Sequence, residues 1–169
     1  MKHRQIIGCL FATALFAGPA TAQELTGTLK NIKDTGAITL GFRDSSIPFS
    51  YLDDNQKPIG YAMDLCYKIV DAVKKELKLD KLEIKWIPAS TPDRLKMVAA
   101  GKADLECGIT THTLRRQEQV DFSLPVFTAG GGVLVPKGSP IVGLPGLDGR
   151  KVAVVRGTTS REIVQMARE

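Results

Sequence analysis

Apolar segments with the spacing of strands and of helices alternate along this chain, and the alternation restricts its fold more than any other feature. Short apolar runs suit β-strands, and the segments between them place apolar residues three and four positions apart, as on one face of a helix. The order predicts an α/β fold in which helices cover a parallel sheet. Residues 24–36 are expected to be partly ordered and 45–57 to form a loop. The predicted elements are strand 38–42, helix 63–77, strand 82–87, helix 91–100, strand 104–109 and short helix 113–119.

A second, shorter region follows a glycine-rich stretch. It contains two predicted strands, 133–135 and 151–155, and a final helix that begins near Gly157. A region of about 40 residues is too small to bury a core of its own. We therefore expect residues 23–127 to form a first structural unit and 128–169 to be the incomplete start of a second.

The first 22 residues have the three features of a secretory signal peptide. Lys2 and Arg4 give a positive start, residues 6–17 form an apolar run, and a small-x-small pattern ends at Ala22. Such a run is too short to cross a bilayer as a helix. We therefore predict export from the cytosol and a mature chain that begins at Gln23.

Two cysteines, Cys66 and Cys107, remain after the predicted cleavage. Outside the cytosol they can form a disulfide, and the alternative is a pair of buried free thiols. The sequence contains only two histidines and no Cys-x-x-Cys motif, which argues against a zinc site. We predict no bound metal and no cofactor.

The charges of the chain are scattered and mildly basic. The formal net charge is +5, and two of the positive charges, Lys2 and Arg4, belong to the predicted signal peptide. No run of five like charges occurs, so a nucleic-acid groove is not expected.

Cationic and hydroxyl side chains follow the predicted strands at their carboxyl ends. Ligands of open parallel sheets bind at that edge, and the free N–H groups of helix N-termini there also favour anions. Three arginines and several hydroxyl groups at one edge predict a site for a ligand with carboxylate groups. The residues concerned are Arg43, Thr91, Arg94, Thr111, Arg116, Thr158 and Thr159.

Each of these residues also has an ordinary structural explanation. Most arginines are solvated surface charges, which we expect of Arg115. Thr91 and Thr113 are suited to cap helices, and capping would be their whole role under this alternative. No hydrolase elbow, nucleotide-binding loop or zinc-protease motif is present, and His112 and Glu106 are isolated residues without a visible catalytic partner.

Several motifs in order along the chain give it a family resemblance. The chain resembles family 3 of the bacterial extracellular solute-binding proteins, the periplasmic receptors of ABC transporters for polar amino acids. Within that family it is most similar to the glutamate/aspartate-binding proteins, through Arg43-Asp-Ser-Ser-x-Pro-Phe-Ser-Tyr51 and the pairing of Asp64-Leu-Cys66 with Glu106-Cys-Gly108. The family motifs are Gly60-Tyr-x-Met-Asp-Leu65, Asp104-Leu-Glu-Cys-Gly108, Thr110-Thr-x-x-x-x-Arg116, Val120-Asp-Phe-Ser-x-Pro125 and Gly157-Thr-Thr159.

The resemblance implies a two-lobed periplasmic-binding-protein fold of type II, with a chain that stops within the second lobe. The lobes would close on an amino acid, which the protein would deliver to an inner-membrane ABC permease. It further implies a monomeric periplasmic protein that binds glutamate or aspartate and has no enzymatic activity. Two alternatives stay open: the amino-acid-sensing extracellular part of a membrane receptor, and a periplasmic dehydratase on the same fold.

The resemblance also assigns roles to the candidate residues. Arg116 and Thr111 would bind the α-carboxylate of the ligand, and Thr158 and Thr159 would close on it from the second lobe. Ile109 stands where these binders commonly have a serine, so only its backbone can contribute. The residues around the side-chain carboxylate would be Arg43, Thr91 and Arg94.

Overall fold

The computed structural model describes residues 24–166, and the predicted signal peptide lies outside that range. The fold is α/β, as predicted. Its first helices and strands are α1 (Gly27–Thr35), β1 (Ala37–Phe42), β2 (Ser45–Ser46), β3 (Ser50–Leu52), β4 (Pro58–Ile59), α2 (Tyr61–Glu76) and β5 (Glu83–Pro88). They are followed by α3 (Arg94–Ala99), β6 (Leu105–Cys107), α4 (Leu114–Gln117), a 3₁₀-helix (Leu144–Leu147) and α5 (Thr159–Met166).

A parallel sheet of three strands, in the order β5-β1-β6, forms the centre of the first unit. Ala37 of β1 pairs with Glu83 of β5, and Leu40 pairs with Leu105 of β6. Every residue of β1 except Thr39 is buried, whereas β5 has only exposed and half-buried residues. The strand predicted at residues 82–87 therefore forms, and it lies at an edge of the sheet.

The core lies between this sheet and the apolar face of α2. Leu40 and Met63 are fully buried there, and Val70 is almost so. The sulfur atoms of Cys66 in α2 and Cys107 in β6 lie 2.13 Å apart, which confirms the predicted disulfide. The bond fastens the covering helix to the strand that precedes the candidate site.

Two segments near the start of the chain are more ordered than expected. Residues 27–35 form α1, which docks through its single buried residue, Ile32, and ends where Gly36 adopts a φ of 66°. Leu25, Leu29 and Ile32 stand at helical spacing, but three apolar residues in a polar segment are a short signal, and the sequence analysis missed it. The predicted loop 45–57 contains strands β2 and β3, and β3 pairs with both β2 and β4 in a small antiparallel sheet. Strands of two or three residues are too short to show an alternating pattern.

The prediction of strands at 133–135 and 151–155 is wrong, because neither segment forms a strand. Both segments lack regular strand pairing, and all of residues 128–166 are exposed or half-buried. A strand requires a ladder partner for its backbone groups, and an apolar sequence alone does not supply one. The final helix, α5, forms as expected.

None of the helices within residues 24–166 combines the length and the apolar character needed to span a membrane.

Candidate functional site

The loops that leave β1, β5 and β6 bring most of the predicted residues to one edge of the sheet. Arg43 directly follows β1, and Thr91 lies in the turn after β5. Thr111 lies in the loop after β6. Because the three strands are parallel, their carboxyl ends share this edge.

Arg43 is fixed by the small sheet on one side and by the β5–α3 turn on the other. Its backbone N–H donates to Oγ of the fully buried Ser50 at 2.9 Å. Its guanidinium donates to the carbonyl of Ala89 and, at 3.0 Å, to Oγ1 of Thr91. Thr91 therefore accepts from an arginine and does not cap α3, whose N-cap position is Asp93.

Arg94 is the first residue of α3 and has a side chain only 4% exposed. Its Nε atom is buried without a hydrogen-bond partner, and no carboxylate among residues 24–166 forms an ion pair with it. Burial lowers the pKa of Arg94, and the neighbouring Glu106 carboxylate partly opposes this. A guanidinium buried without an acceptor is costly, so this position is suited to receive an anion.

Arg116 lies between the first unit and the start of α5. Thr113 caps α4 by accepting from the backbone N–H of Arg116 at 3.3 Å, as one of the alternatives predicted. The Arg116 guanidinium donates to the carbonyl of Thr111 at 2.6 Å and to that of Gly157 at 3.1 Å. These two backbone acceptors hold a side chain that is 9% exposed.

Glu106 is a site residue that the sequence analysis missed. It was considered isolated, yet its carboxylate lies within electrostatic range of Arg94, Arg43 and Arg116. Burial raises the pKa of Glu106, while the Thr110 hydroxyl and then the three arginines act in the opposite direction. One signal in the sequence could have identified it. Neighbouring side chains in a strand point to opposite faces, so Glu106 had to lie on the face of β6 opposite Cys107 and away from the core.

Buried polar atoms without partners are concentrated at this site. Within residues 24–166, every buried side-chain nitrogen or oxygen that lacks a hydrogen bond belongs to it: Arg43 Nε, Arg94 Nε, Glu106 Oε1 and Thr110 Oγ1. Buried polar groups in proteins are normally paired, so such a cluster indicates a site that is completed by a bound molecule or by solvent.

The second region contributes fewer contacts than predicted. Thr159 Oγ1 lies 3.4 Å from Thr111 Oγ1, which brings these two hydroxyls together. The hydroxyl of Thr158 instead donates to the carbonyl of Val155 at 2.7 Å. Ile109 is 49% exposed and adds no polar side-chain group.

A cavity of about 260 Å³ lies between the two regions. Its lining includes Thr91, Arg116, Gly157 and Glu162, whereas Arg43, Arg94 and Glu106 do not line it. Its size suits a ligand no larger than a single amino acid, since drug-sized ligands occupy about 300–1,000 Å³. A larger cavity of about 950 Å³ lies among mostly apolar residues of the second region and contains none of the three arginines.

No group of three or more histidine, cysteine, aspartate or glutamate side chains that could hold a metal ion comes together in the part of the chain that the structure describes. The charged groups around the unpaired buried atoms are the three arginines and Glu106, and the guanidinium groups can bind an anion through charge-assisted hydrogen bonds.

One known sequence and two solved structures illustrate what this chain is similar to. The chain is 45% identical over 161 residues to the L-glutamate/L-aspartate-binding protein of Pseudomonas aeruginosa, covering 95% of this chain and 53% of that protein. It resembles the arginine-bound form of truncated ArgBP from T. maritima, with a TM-score of 0.71, 27% identity and coverage of 81% and 62%. It also resembles an ancestral amino acid-binding protein that is a precursor of cyclohexadienyl dehydratase, with a TM-score of 0.70, 30% identity and coverage of 83% and 61%.

The chain spans about half the length of the curated relatives it matches. Residues 38–167 match the family described as bacterial extracellular solute-binding proteins, family 3. This range includes the parallel sheet except its first residue, Ala37, together with the disulfide and all the site residues described above. The chain therefore belongs to family 3 of the bacterial extracellular solute-binding proteins.

Proposed function

We propose that the protein is the periplasmic substrate-binding component of an ABC transporter, and that it captures L-glutamate or L-aspartate and delivers it to an inner-membrane permease. The observation that carries this proposal is the buried guanidinium of Arg94, which lacks an acceptor and lies within electrostatic range of Arg43 and Arg116. A relative named L-glutamate/L-aspartate-binding protein, with 45% identity, supports the same ligand class.

The two carboxylates of the ligand would divide the arginines between them. One carboxylate would bind Arg94 and the paired Arg43 and Thr91, and the α-carboxylate would bind the free N–H groups of Arg116 beside Thr111. Thr159 would close on the ligand from the second region, with Thr158 behind it and the backbone of Ile109 beside it. Each charge-assisted hydrogen bond contributes about 1.5–3 kcal/mol, so a few of them support micromolar binding, which requires about 8 kcal/mol.

Calorimetric titration of the full-length protein that carries this sequence tests the ligand class. L-glutamate and L-aspartate are expected to bind and L-arginine to bind poorly, because three guanidinium groups repel a cationic side chain. L-histidine is also expected to bind poorly, because its side chain supplies no negative charge to the guanidinium groups. Tight binding of L-arginine without binding of either acidic amino acid would overturn the proposal. That contrast is informative because the structurally similar ArgBP from T. maritima is an arginine-bound form.

Arg116 and its neighbour Arg115 provide a matched pair of variants. Arg116→Ala is expected to lose at least about 2 kcal/mol of binding free energy, because a carboxylate loses its charged donor. Arg115→Ala is expected to change little, since that side chain is 79% exposed and its one ion pair, with Glu162 at 3.5 Å, is a surface contact. Equal affinities of the two variants would show that the ligand is not bound at Arg116.

A second candidate function is a dehydratase. It is favoured by the structural similarity to a precursor of cyclohexadienyl dehydratase and by Glu106, a buried acid with a raised pKa of the kind used as a proton donor. Incubation of the protein with a cyclohexadienyl substrate, followed by ultraviolet detection of an aromatic product, distinguishes the two functions. Turnover that Glu106→Gln abolishes would favour the enzyme.

A further inference from the structure

Glu106 is placed under the candidate site by the geometry of β6. It lies opposite Gly41 of β1 in the parallel ladder. Its neighbours in the strand are Leu105 and Cys107, and Cys107 is bonded to Cys66 on the covering helix α2. Because successive side chains of a strand point to opposite faces, Glu106 faces away from α2 and away from the apolar core.

Gly108 leaves the space that the Glu106 side chain occupies. A β-carbon at position 108 would lie 2.3 Å from Glu106 Oε1 and 2.8 Å from Cγ of Arg43. Neither distance is possible for real atoms, so a residue with a side chain would displace both groups. The carboxylate and Arg43 therefore approach each other over a glycine, at the edge where the candidate ligand groups meet.

The charged groups that face Glu106 are the arginines of the site, one from each packed element: Arg94 from α3, Arg43 from the end of β1 and Arg116 from α4. None of them forms an ion pair with Glu106, and Glu106 Oε1 is buried without a hydrogen bond. Burial raises the pKa of this carboxyl above its ordinary value of 4.5, while the Thr110 hydroxyl and the arginines limit the rise. The Thr110 hydroxyl, and after it three guanidinium groups that form no ion pair with Glu106, thus favour the negative charge of this carboxylate.

We propose that Glu106 is a positioning residue of the ligand site, which balances the charge of the three arginines in the ligand-free protein and takes up a proton when an acidic amino acid binds. The inference rests on the proposed function. Ligand carboxylates would contact the same guanidinium groups and add negative charge beside Glu106, so the arginines no longer offset its burial. A proton from the solvent buffer then bonds to a Glu106 carboxylate oxygen, and the buffer acid is left as its conjugate base.

Proton uptake makes the affinity depend on pH in a defined direction. The ligand-bound protein holds more protons than the free protein over the interval between the free and bound pKa values of Glu106, so binding weakens as pH rises through that interval. Below it the affinity is constant until the ligand carboxylates themselves become protonated. The dissociation constant would rise by at most about tenfold per pH unit, the limit for one proton.

The test is calorimetric titration of the full-length protein with L-glutamate from about pH 5 to about pH 8, at each pH in two buffers with different enthalpies of ionisation: acetate and MES at the acidic end, phosphate and Tris at the upper end. The wild-type protein is expected to take up about 0.5–1 proton per ligand within this range. Glu106→Gln is expected to bind with no proton uptake and with a pH-independent affinity. The exposed control Glu118→Gln should behave as the wild type, and His112→Gln excludes the histidine of the neighbouring loop as the proton acceptor.

The outcomes separate the inference from the function on which it rests. Glutamate binding by the wild type without proton uptake, or uptake that persists in Glu106→Gln, would overturn the inference alone. A wild-type protein that binds neither glutamate nor aspartate would overturn the proposed function and this inference with it. If Glu106→Gln does not fold, the wild-type measurement together with Glu106→Asp, which should retain the uptake, decides the question.

Discussion

The two regions of the molecule differ in how their apolar residues are placed. All the buried residues of the described chain fall between Ile32 and Arg116, whereas residues 128–166 contain none. In the second region Leu134 is fully exposed and Val142 is 86% exposed. The first region is therefore held together by its own core, and the second is not.

The difference explains why the arginines of the site have defined positions. Arg43, Arg94 and Arg116 are all set by elements of the first region. The second region adds the Gly157 carbonyl and the Thr159 hydroxyl to groups already in place. Substitutions in the first region should therefore change both the unfolding free energy and the positions of the site residues. Substitutions in the second region should chiefly change how it covers the site.

The largest expected effect is loss of the disulfide. The Cys66→Ala/Cys107→Ala double variant should lose about 4 kcal/mol of unfolding free energy, because a loop of 41 residues is no longer closed in the unfolded chain. Urea unfolding without reductant measures it. A reducing agent should destabilise the wild type and leave the double variant unchanged, and equal stability of the two unreduced proteins would contradict the prediction.

A pair of leucine variants compares the two regions directly. Leu40→Ala should cost about 3 kcal/mol, because Leu40 is fully buried and its truncation leaves a cavity. Leu134→Ala should change the unfolding free energy by less than about 0.5 kcal/mol, because its side chain is fully exposed. Urea unfolding of both variants is the measurement, and a large loss in Leu134→Ala would show that the second region is packed in solution.

The buried carboxyl group of Glu106 should make the stability of the first region depend on pH. Because the pKa of Glu106 is raised in the folded protein, the folded state binds more protons than the unfolded state between the unfolded and folded pKa values. Stability from this group is complete below the unfolded pKa and is lost as pH rises through the folded pKa. Thermal unfolding of the ligand-free protein should show this loss in the wild type and not in Glu106→Gln. Parallel pH profiles of the two proteins would argue against it.

Two tyrosine hydroxyls compare single hydrogen bonds, whose loss should have a small effect. The hydroxyl of Tyr67 donates to the carbonyl of Pro58 at 3.0 Å within the first region, and that of Tyr61 donates to Val126 at 2.9 Å, where the chain leaves it. Tyr67→Phe should cost about 1 kcal/mol. Tyr61→Phe should cost less, because its ring is 42% exposed and water can replace the bond. Urea unfolding measures both variants. A larger loss of unfolding free energy in Tyr61→Phe than in Tyr67→Phe would show that the hydrogen bond to Val126 stabilises the fold more than the one to Pro58.

Much of the secondary structure of the first region could be predicted from local patterns in the sequence. The apolar residues of α2 stand at helical spacing on one face, and the alternating residues of 82–87 predict a half-exposed strand. The positions of Arg43, Arg94 and Arg116 after the strands placed them at one edge of a parallel sheet. The ordered motifs around them predicted the family, which the match over residues 38–167 confirms.

Other features depend on contacts between residues far apart in the chain, and only the tertiary structure decided them. The Thr91 hydroxyl could have capped a helix, and it accepts from Arg43 because the β1 and β5 ends adjoin. Glu106 looked isolated because the arginines that face it come from three other segments. The apolar runs at 133–135 and 151–155 had the composition of strands, but a ladder requires a partner strand, which composition cannot specify.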